Sequence, residues 1–170
     1  MTTEFHCLTS DPIAAVQSAH RASIALATTK GILRSQAVAA MGEALKQHQN
    51  DILEANTLDL EASREMAVPE LILEWLKLTP ERIQTAAQLL KRLSELPDPI
   101  GRVMDASYQI DQCQTYSQLM PLGVISLVYE AFPELAALAA GLCIKTANSL
   151  VLKGGSEASH SNCAIAQALW

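Results

Sequence analysis

The chain has 170 residues, of which 49% are apolar, 4% aromatic and 18% charged, and its formal net charge is −6. This length and apolar content suffice for a folded domain whose core is filled mainly by Leu, Ile, Val and Ala, and the wealth of Ala and Leu favours helix. The acidic balance offers no basic footprint for a phosphodiester backbone, which excludes nucleic acid as an expected partner.

The first residues, MTTEFHCLTSDP, carry an acid where a secretory signal carries positive charge, and no apolar stretch follows. A cytoplasmic protein is therefore expected. Asp11 and Pro12 predict a helix start, with a capping carboxylate and a proline at the first helical position. Ile13, Val16, His20, Ile24 and Ala27 then recur at helical spacing. After a break at Gly31, Leu33, Ala37, Met41, Leu45, His48, Ile52 and Ala55 trace a second, longer helical stripe, within which Asn50 and Asp51 are candidates to cap a new helix.

A short apolar piece, Pro69 to Lys77, precedes Thr79-Pro80-Glu81, where hydroxyl cap, proline and acid all favour another helix start. Ile83, Ala87, Leu90 and Leu93 give that helix one apolar face. Leu96-Pro97-Asp98-Pro99-Ile100-Gly101 ends it. From Ser107 to Leu119 the period changes to alternation, through Tyr108, Ile110 and Gln112, which predicts one or two extended strands whose exposed edges invite pairing with a neighbouring subunit.

Val124 to Val128 reads as a short apolar strand covered on both faces. Pro133 and Glu134 open a helix of small residues, Lys145 lies in its last turn, and Asn148 is placed to adopt the left-handed cap. The charge-free stretch Leu135 to Ile144 is too short to span a bilayer, which needs about 20 apolar residues. Ser149 to Leu152 forms the second strand, Gly154-Gly155 turns, and Ser156 is the expected cap of a last helix. Cys7, Cys113, Cys143 and Cys163 lie far apart, so reduced thiols rather than a disulfide framework are expected.

A crossover between the two apolar strands makes them parallel and brings their carboxyl ends to one edge, where open α/β sheets bind ligands. Tyr129-Glu130 and Lys153-Gly154-Gly155-Ser156 then share a rim. Lysine supplies a mobile positive charge, the glycines let a ligand approach the backbone, and free N–H groups after Ser156 could receive an anion. This set suits the adenosine ribose and 2′-phosphate of NADPH, although the spacing alone is equally that of a turn and a cap. Neither GxGxxG nor GxxxxGK[ST] occurs. The expected cofactor-binding residues are Tyr129, Lys153, Gly154, Gly155 and Ser156.

His160 and Cys163 could form half of a zinc site, but no second pair stands at ligand spacing, so no metal is expected. His20 and His48 read as satisfied core or boundary side chains. Cys143, within the small-residue helix, reads as a small hydrophobe with no activating base. Glu130 at a strand end has the right chemistry for an acid or base but no identifiable partner, and pairing with a nearby cation or backbone group is the simpler reading.

PLGVISLVYEAFP, LCIKTAN and LVLKGGSEASHSN, in this order and preceded by ANTLDLEASRE, LKLTPERI and LPDPIGRVMD, resemble the motifs of the gamma-glutamyl phosphate reductase family of the aldehyde dehydrogenase superfamily. The resemblance runs from about residue 12 onward. It implies an α/β, aldehyde-dehydrogenase-like fold: a helical N-terminal region over residues 1–105, bridging or oligomerisation strands over 106–120, and over 121–170 the first half of a Rossmann-like parallel sheet. It further implies NADPH-dependent reduction of L-glutamyl 5-phosphate to L-glutamate 5-semialdehyde in proline biosynthesis. In that family a cysteine thiolate attacks the acyl phosphate. That cysteine belongs to a later domain, no residue here matches its motif, and no catalytic residue is expected in this chain.

The chain is thus expected to be inactive alone, to bind NADPH weakly, and to act as a homo-oligomer or in association with a full-length homologue. The other reading is a truncated, non-catalytic paralogue that serves as an interaction module. Where the family usually reads Tyr-Glu-Ala-Arg-Pro-Asn-Val, this chain has Tyr129 to Leu135 with Phe132 and Glu134 in place of the arginine and asparagine. An ionised Glu134 cannot donate to an oxyanion, a loss that typically costs about 2.7–4 kcal/mol of transition-state stabilisation. Ala147 stands where the family has glycine. Lys153 replaces a common arginine and keeps the charge without the bidentate fork.

Overall fold

The computed structural model describes residues 11–104, 108–110 and 113–169; Cys7, and residues 106–107 and 111–112 of the expected extended segment, lie outside them. Helix α1 (Pro12–Thr28) begins as its caps predict, because Asp11 Oδ1 accepts from the N–H groups of Ile13 at 2.9 Å and Ala14 at 3.2 Å. Its apolar stripe does not enter a core. Ile13, Val16 and Ile24 are 68%, 49% and 61% exposed, and Ser23 is the buried residue of the helix.

The long second stripe divides into α2 (Gly31–Gln47) and α3 (Gln49–Glu65) at His48, not at a cap formed by Asn50 or Asp51. His20 and His48 are both exposed, which corrects the reading of either as a core side chain; His48 Nδ1 lies 3.2 Å from Asp51 Oδ2 in the first turn of α3. The short α4 (Glu70–Leu76) follows, and Thr79 Oγ1 then accepts from Arg82 N at 3.2 Å to start α5 (Pro80–Glu95). Ile83, Ala87 and Leu90 are buried along the face that the sequence marks as apolar.

Strands β1 (Tyr108–Ile110) and β2 (Cys113–Thr115) pair antiparallel. Beyond them β3 (Val124–Val128), α6 (Glu134–Lys145) and β4 (Ser149–Lys153) form a βαβ unit, with Val124 opposite Ser149 and Val128 opposite Lys153 in a parallel ladder. A 3-10 turn (Ser156–Ala158) leads into α7 (Ser159–Leu169). Strand β3 is not covered on both faces as expected: Ser126 is exposed and Val128 is 73% exposed.

One core serves both the helical region and the βαβ unit. Val38, Met41 and Leu45 of α2, Ile83 and Leu90 of α5, Ala136 and Ala137 of α6, and Ile165 of α7 belong to a single buried cluster. Close approach depends on two glycines. A Cβ on Gly42 would stand 2.9 Å from the Ala87 carbonyl oxygen, and one on Gly141 would stand 2.3 Å from Leu90 Cδ2, so α5 rests directly on the backbones of α2 and α6.

Buried polar groups fasten the same junctions. Lys145, 3% exposed, does more than sit at the end of its own helix: its Nζ donates to Ser35 Oγ at 2.7 Å and to the carbonyls of Ser94 and Leu96 at 3.0 and 2.6 Å, so it caps the C-terminus of α5. This satisfies carbonyls that the helix end leaves without a partner. Helices α3 and α6 end alike. Val68 N bonds to Ser63 O and Ala67 N to Arg64 O, as Asn148 N bonds to Cys143 O and Ala147 N to Ile144 O. These are Schellman caps with alanine in the left-handed position, at φ 54° for Ala67 and 57° for Ala147. The left-handed residue is thus Ala147 rather than Asn148, whose side-chain oxygen instead accepts from Gly123 N at 2.8 Å.

Candidate nucleotide cleft

Because β3 and β4 are parallel, their carboxyl ends lie together, and the five residues singled out in the sequence line one cleft of about 410 Å³: Tyr129, Lys153, Gly154, Gly155 and Ser156. This volume falls in the usual range of small-molecule sites, about 300–1,000 Å³. Tyr129 is held from two sides. Its N–H donates to Lys153 O at 3.1 Å, continuing the ladder past the strand, and its hydroxyl donates to Asn162 Oδ1 at 2.9 Å. With only 8% of its surface exposed, the ring forms a fixed wall.

Lys153 is the one charged side chain lining the cleft among the described residues. It is exposed, and its Nζ folds back to donate to Gly154 O at 2.6 Å, a contact that any anion could displace. The two glycines have different reasons. A Cβ on Gly154 would lie 2.1 Å from Asn162 Nδ2 and 3.3 Å from the Tyr129 hydroxyl, so glycine is needed there for the floor of the cleft itself. A Cβ on Gly155 would meet only the flexible Glu157 carboxylate, 2.0 Å from Oε1.

The expected free helix start is largely occupied. Ser156 makes no side-chain cap, and the anion at the start of α7 is internal: Asp59 of α3, 2% exposed, takes the N–H groups of His160 at 3.0 Å and Ser161 at 2.7 Å, together with the Ser161 hydroxyl at 2.6 Å. An incoming phosphate therefore cannot use those two amides. His160 Nδ1 also lies 2.8 Å from Asp59 Oδ1, which accounts for a histidine that spacing offers as half of a metal site. No group of three or more His, Cys, Asp or Glu able to hold a metal occurs among the described residues.

Sequence reading missed Asn162, Glu157 and Asp59. Glu157 ties the 3-10 turn to the loop after β3 by accepting from Ala131 N at 2.9 Å, and Ala131 itself is left-handed at φ 52°. Asp59 did leave a trace: Ile52, Asn56, Asp59 and Ser63 are the buried residues of α3 and recur at helical spacing, so polar groups occupy core positions of the period.

The two departures from the family pattern find partners away from the cleft. Phe132 stacks on Trp75, with ring centroids 5.3 Å apart and planes 25° apart. Glu134 accepts from Arg82 through both Nε, at 3.0 Å, and Nη2, while Arg82 Nη1 donates to the carbonyls of Trp75, at 3.0 Å, and Lys77. Together they pin the loop between β3 and α6, and the first residue of α6, to the end of α4 and the start of α5. Burial raises the pKa of the Cys143 thiol above its ordinary value, which opposes a nucleophilic role. Glu130 is exposed at the rim, and no helix is long and apolar enough to cross a membrane among the described residues.

No protein-family model matches the chain. A curated relative, gamma-glutamyl phosphate reductase 2 of a Synechocystis species, is 56% identical over 167 residues, which is 95% of this chain and 40% of that protein. The crystal structure of gamma-glutamyl phosphate reductase from Saccharomyces cerevisiae superposes with a TM-score of 0.87 at 29% identity, covering 95% of this chain and 41% of that one. Betaine aldehyde dehydrogenase from Staphylococcus aureus, solved in complex with NAD+, gives a TM-score of 0.66 at 17% identity over 91% of this chain and 29% of its own, a likeness of fold alone. The chain spans about two-fifths of the length of the reductases it resembles. In sequence and in fold alike, it corresponds to an N-terminal part of gamma-glutamyl phosphate reductase, built on the aldehyde dehydrogenase architecture.

Proposed function

We propose that this chain contributes the adenosine end of the cofactor site in an NADPH-dependent reductase that converts L-glutamyl 5-phosphate to L-glutamate 5-semialdehyde, a step of proline biosynthesis; the names of its relatives support the reduction of gamma-glutamyl phosphate. The carrying observation is the convergence of Tyr129, Lys153, Gly154, Gly155 and Ser156 on one cleft at the ends of two parallel strands. Residues 1–105 are a helical support, 106–120 bridging strands and 121–170 a partial nucleotide-binding unit in this reading. The residues fit the group. Lys153 can leave Gly154 O to meet a 2′-phosphate, Ser156 offers a hydroxyl, Leu152 and Ala136 offer apolar surface, and the Tyr129–Asn162 pair leaves a firm floor.

The bound cofactor would supply hydride to the acyl carbon. This chain's residues would hold its adenosine end while the reacting thiol comes from a separate domain. Glu134 is committed to Arg82 and cannot act as a neutral amide donor. The preference for the phosphorylated cofactor rests on Lys153 as the cation of the cleft. Titration of the chain with NADPH should show weak binding centred on Lys153 and Ser156 and no turnover of glutamyl 5-phosphate, and Lys153→Ala should weaken binding roughly tenfold at unchanged melting temperature. Equal affinity of Lys153→Ala and the parent chain for NADPH would refute the assignment.

A further inference from the structure

The Asp59 carboxylate accepts four hydrogen bonds, two on each oxygen, which fills the acceptor capacity of the group. All four come from His160 and Ser161, the second and third residues of α7. Asn56, one turn earlier on α3 and 2% exposed, adds a donor to Ser161 Oγ at 3.0 Å, while its own amide is fixed by Leu76 O at 2.9 Å and by Leu78 N, which donates to Asn56 Oδ1 at 2.8 Å. The start of α7 is therefore seated by a buried polar pair from a helix about a hundred residues earlier. The next residue is Asn162, which holds the Tyr129 hydroxyl and closes against Gly154.

We propose that Asp59 is a positioning residue for the nucleotide cleft: by seating His160 and Ser161 it sets Asn162, and through Asn162 the Tyr129 wall. It touches no ligand. It acts through geometry, and it also keeps the first amides of α7 from drawing a phosphate away from Lys153. As a statement about ligand affinity, this inference rests on the reading of the cleft as a nucleotide site. As a statement about Asn162 and Tyr129, it stands by itself.

Asp59→Asn is the sharpest variant, because it keeps shape while replacing one of two oxygens that each accept from a backbone N–H of α7 by a group that can only donate. In NMR spectra of the free protein, the Asn162 side-chain amide and the Tyr129 ring resonances should shift. Titration with adenosine 2′,5′-bisphosphate should then show affinity reduced roughly tenfold. Leu90→Ala, which lowers stability from elsewhere in the core, should leave both readouts at parent values and so separates positioning from general weakening. If Asp59→Asn does not fold, Ser161→Ala removes one of the four bonds and should move the same resonances by less. Unmoved Asn162 and Tyr129 signals in these variants, or an equal movement in Leu90→Ala, would overturn the inference. A parent chain that binds no nucleotide while Asp59→Asn still moves the two signals would refute the nucleotide reading and leave Asp59 as the positioning group.

Discussion

The contact of α5 with α2 and α6, and the rim where β3 and β4 end, lie in one molecule and obey different demands. On its buried side the helical contact is closely packed: Leu90 is fully buried, Gly42 and Gly141 leave no space for a methyl group, and Lys145 satisfies the end of α5. At the rim apolar and charged groups face outward, with Val128 73% exposed and Lys153 open to solvent. A closely packed region is built for stability, whereas open strand ends and an exposed cation leave binding energy for a ligand or for further structure. The shared core, with the buried contacts of Lys145 and Asp59 beside it, ties the second kind of region to the first.

The largest test of this contrast is Leu90→Ala, expected to lower unfolding free energy by about 2–5 kcal/mol, against less than about 0.5 kcal/mol for Val128→Thr. Denaturant titration of both variants measures the difference, and comparable losses would erase the distinction between the two regions. Gly42→Ala comes next. With the Ala87 carbonyl 2.9 Å from the new methyl group, α5 must shift, at a cost of about 1–3 kcal/mol despite the better helix propensity of alanine. A gain in melting temperature would show that the contact is looser than its geometry.

A smaller effect of opposite sign is expected at Ala67, exposed and left-handed at φ 54°. Ala67→Gly removes an unfavourable conformation worth about 1–2 kcal/mol and restores part of that as chain entropy in the unfolded state, so thermal unfolding should rise by a net gain of up to about 1 kcal/mol. The smallest effect is the pH response of Cys143. Burial raises its folded-state pKa above the ordinary value of 9.0, so the neutral thiol is favoured in the folded protein. Its contribution is intact below that ordinary value and declines as pH rises through the raised one. Cys143→Ala should flatten the alkaline limb of stability measured against pH.

Helix starts written in local chemistry were legible. Asp11-Pro12 and Thr79-Pro80 cap as their side chains dictate, since a cap needs only groups within three residues of each other. The strand pair and the meeting of Tyr129 with Lys153 were legible as well, because a βαβ connection fixes which strand ends share an edge. The α1 stripe was misleading. Periodicity records that a helix has an apolar face and says nothing about whether any part of this chain covers it. The expected cap at Ser156 was displaced by Asp59, a competitor too distant in sequence for any local rule to weigh.

The sequence by itself determined the helices with their caps, the parallel strand pair and the residues of the rim, because each depends on periodicity or on neighbours a few positions apart. Tertiary structure decided that Asp59 seats α7, that Lys145 caps α5, that Glu134 joins Arg82 and that Phe132 stacks on Trp75. Those contacts join residues from about fifty to a hundred positions apart, so their partners meet only once the elements have packed, and burial then makes the hydrogen bonds of Asp59 and Lys145 obligatory.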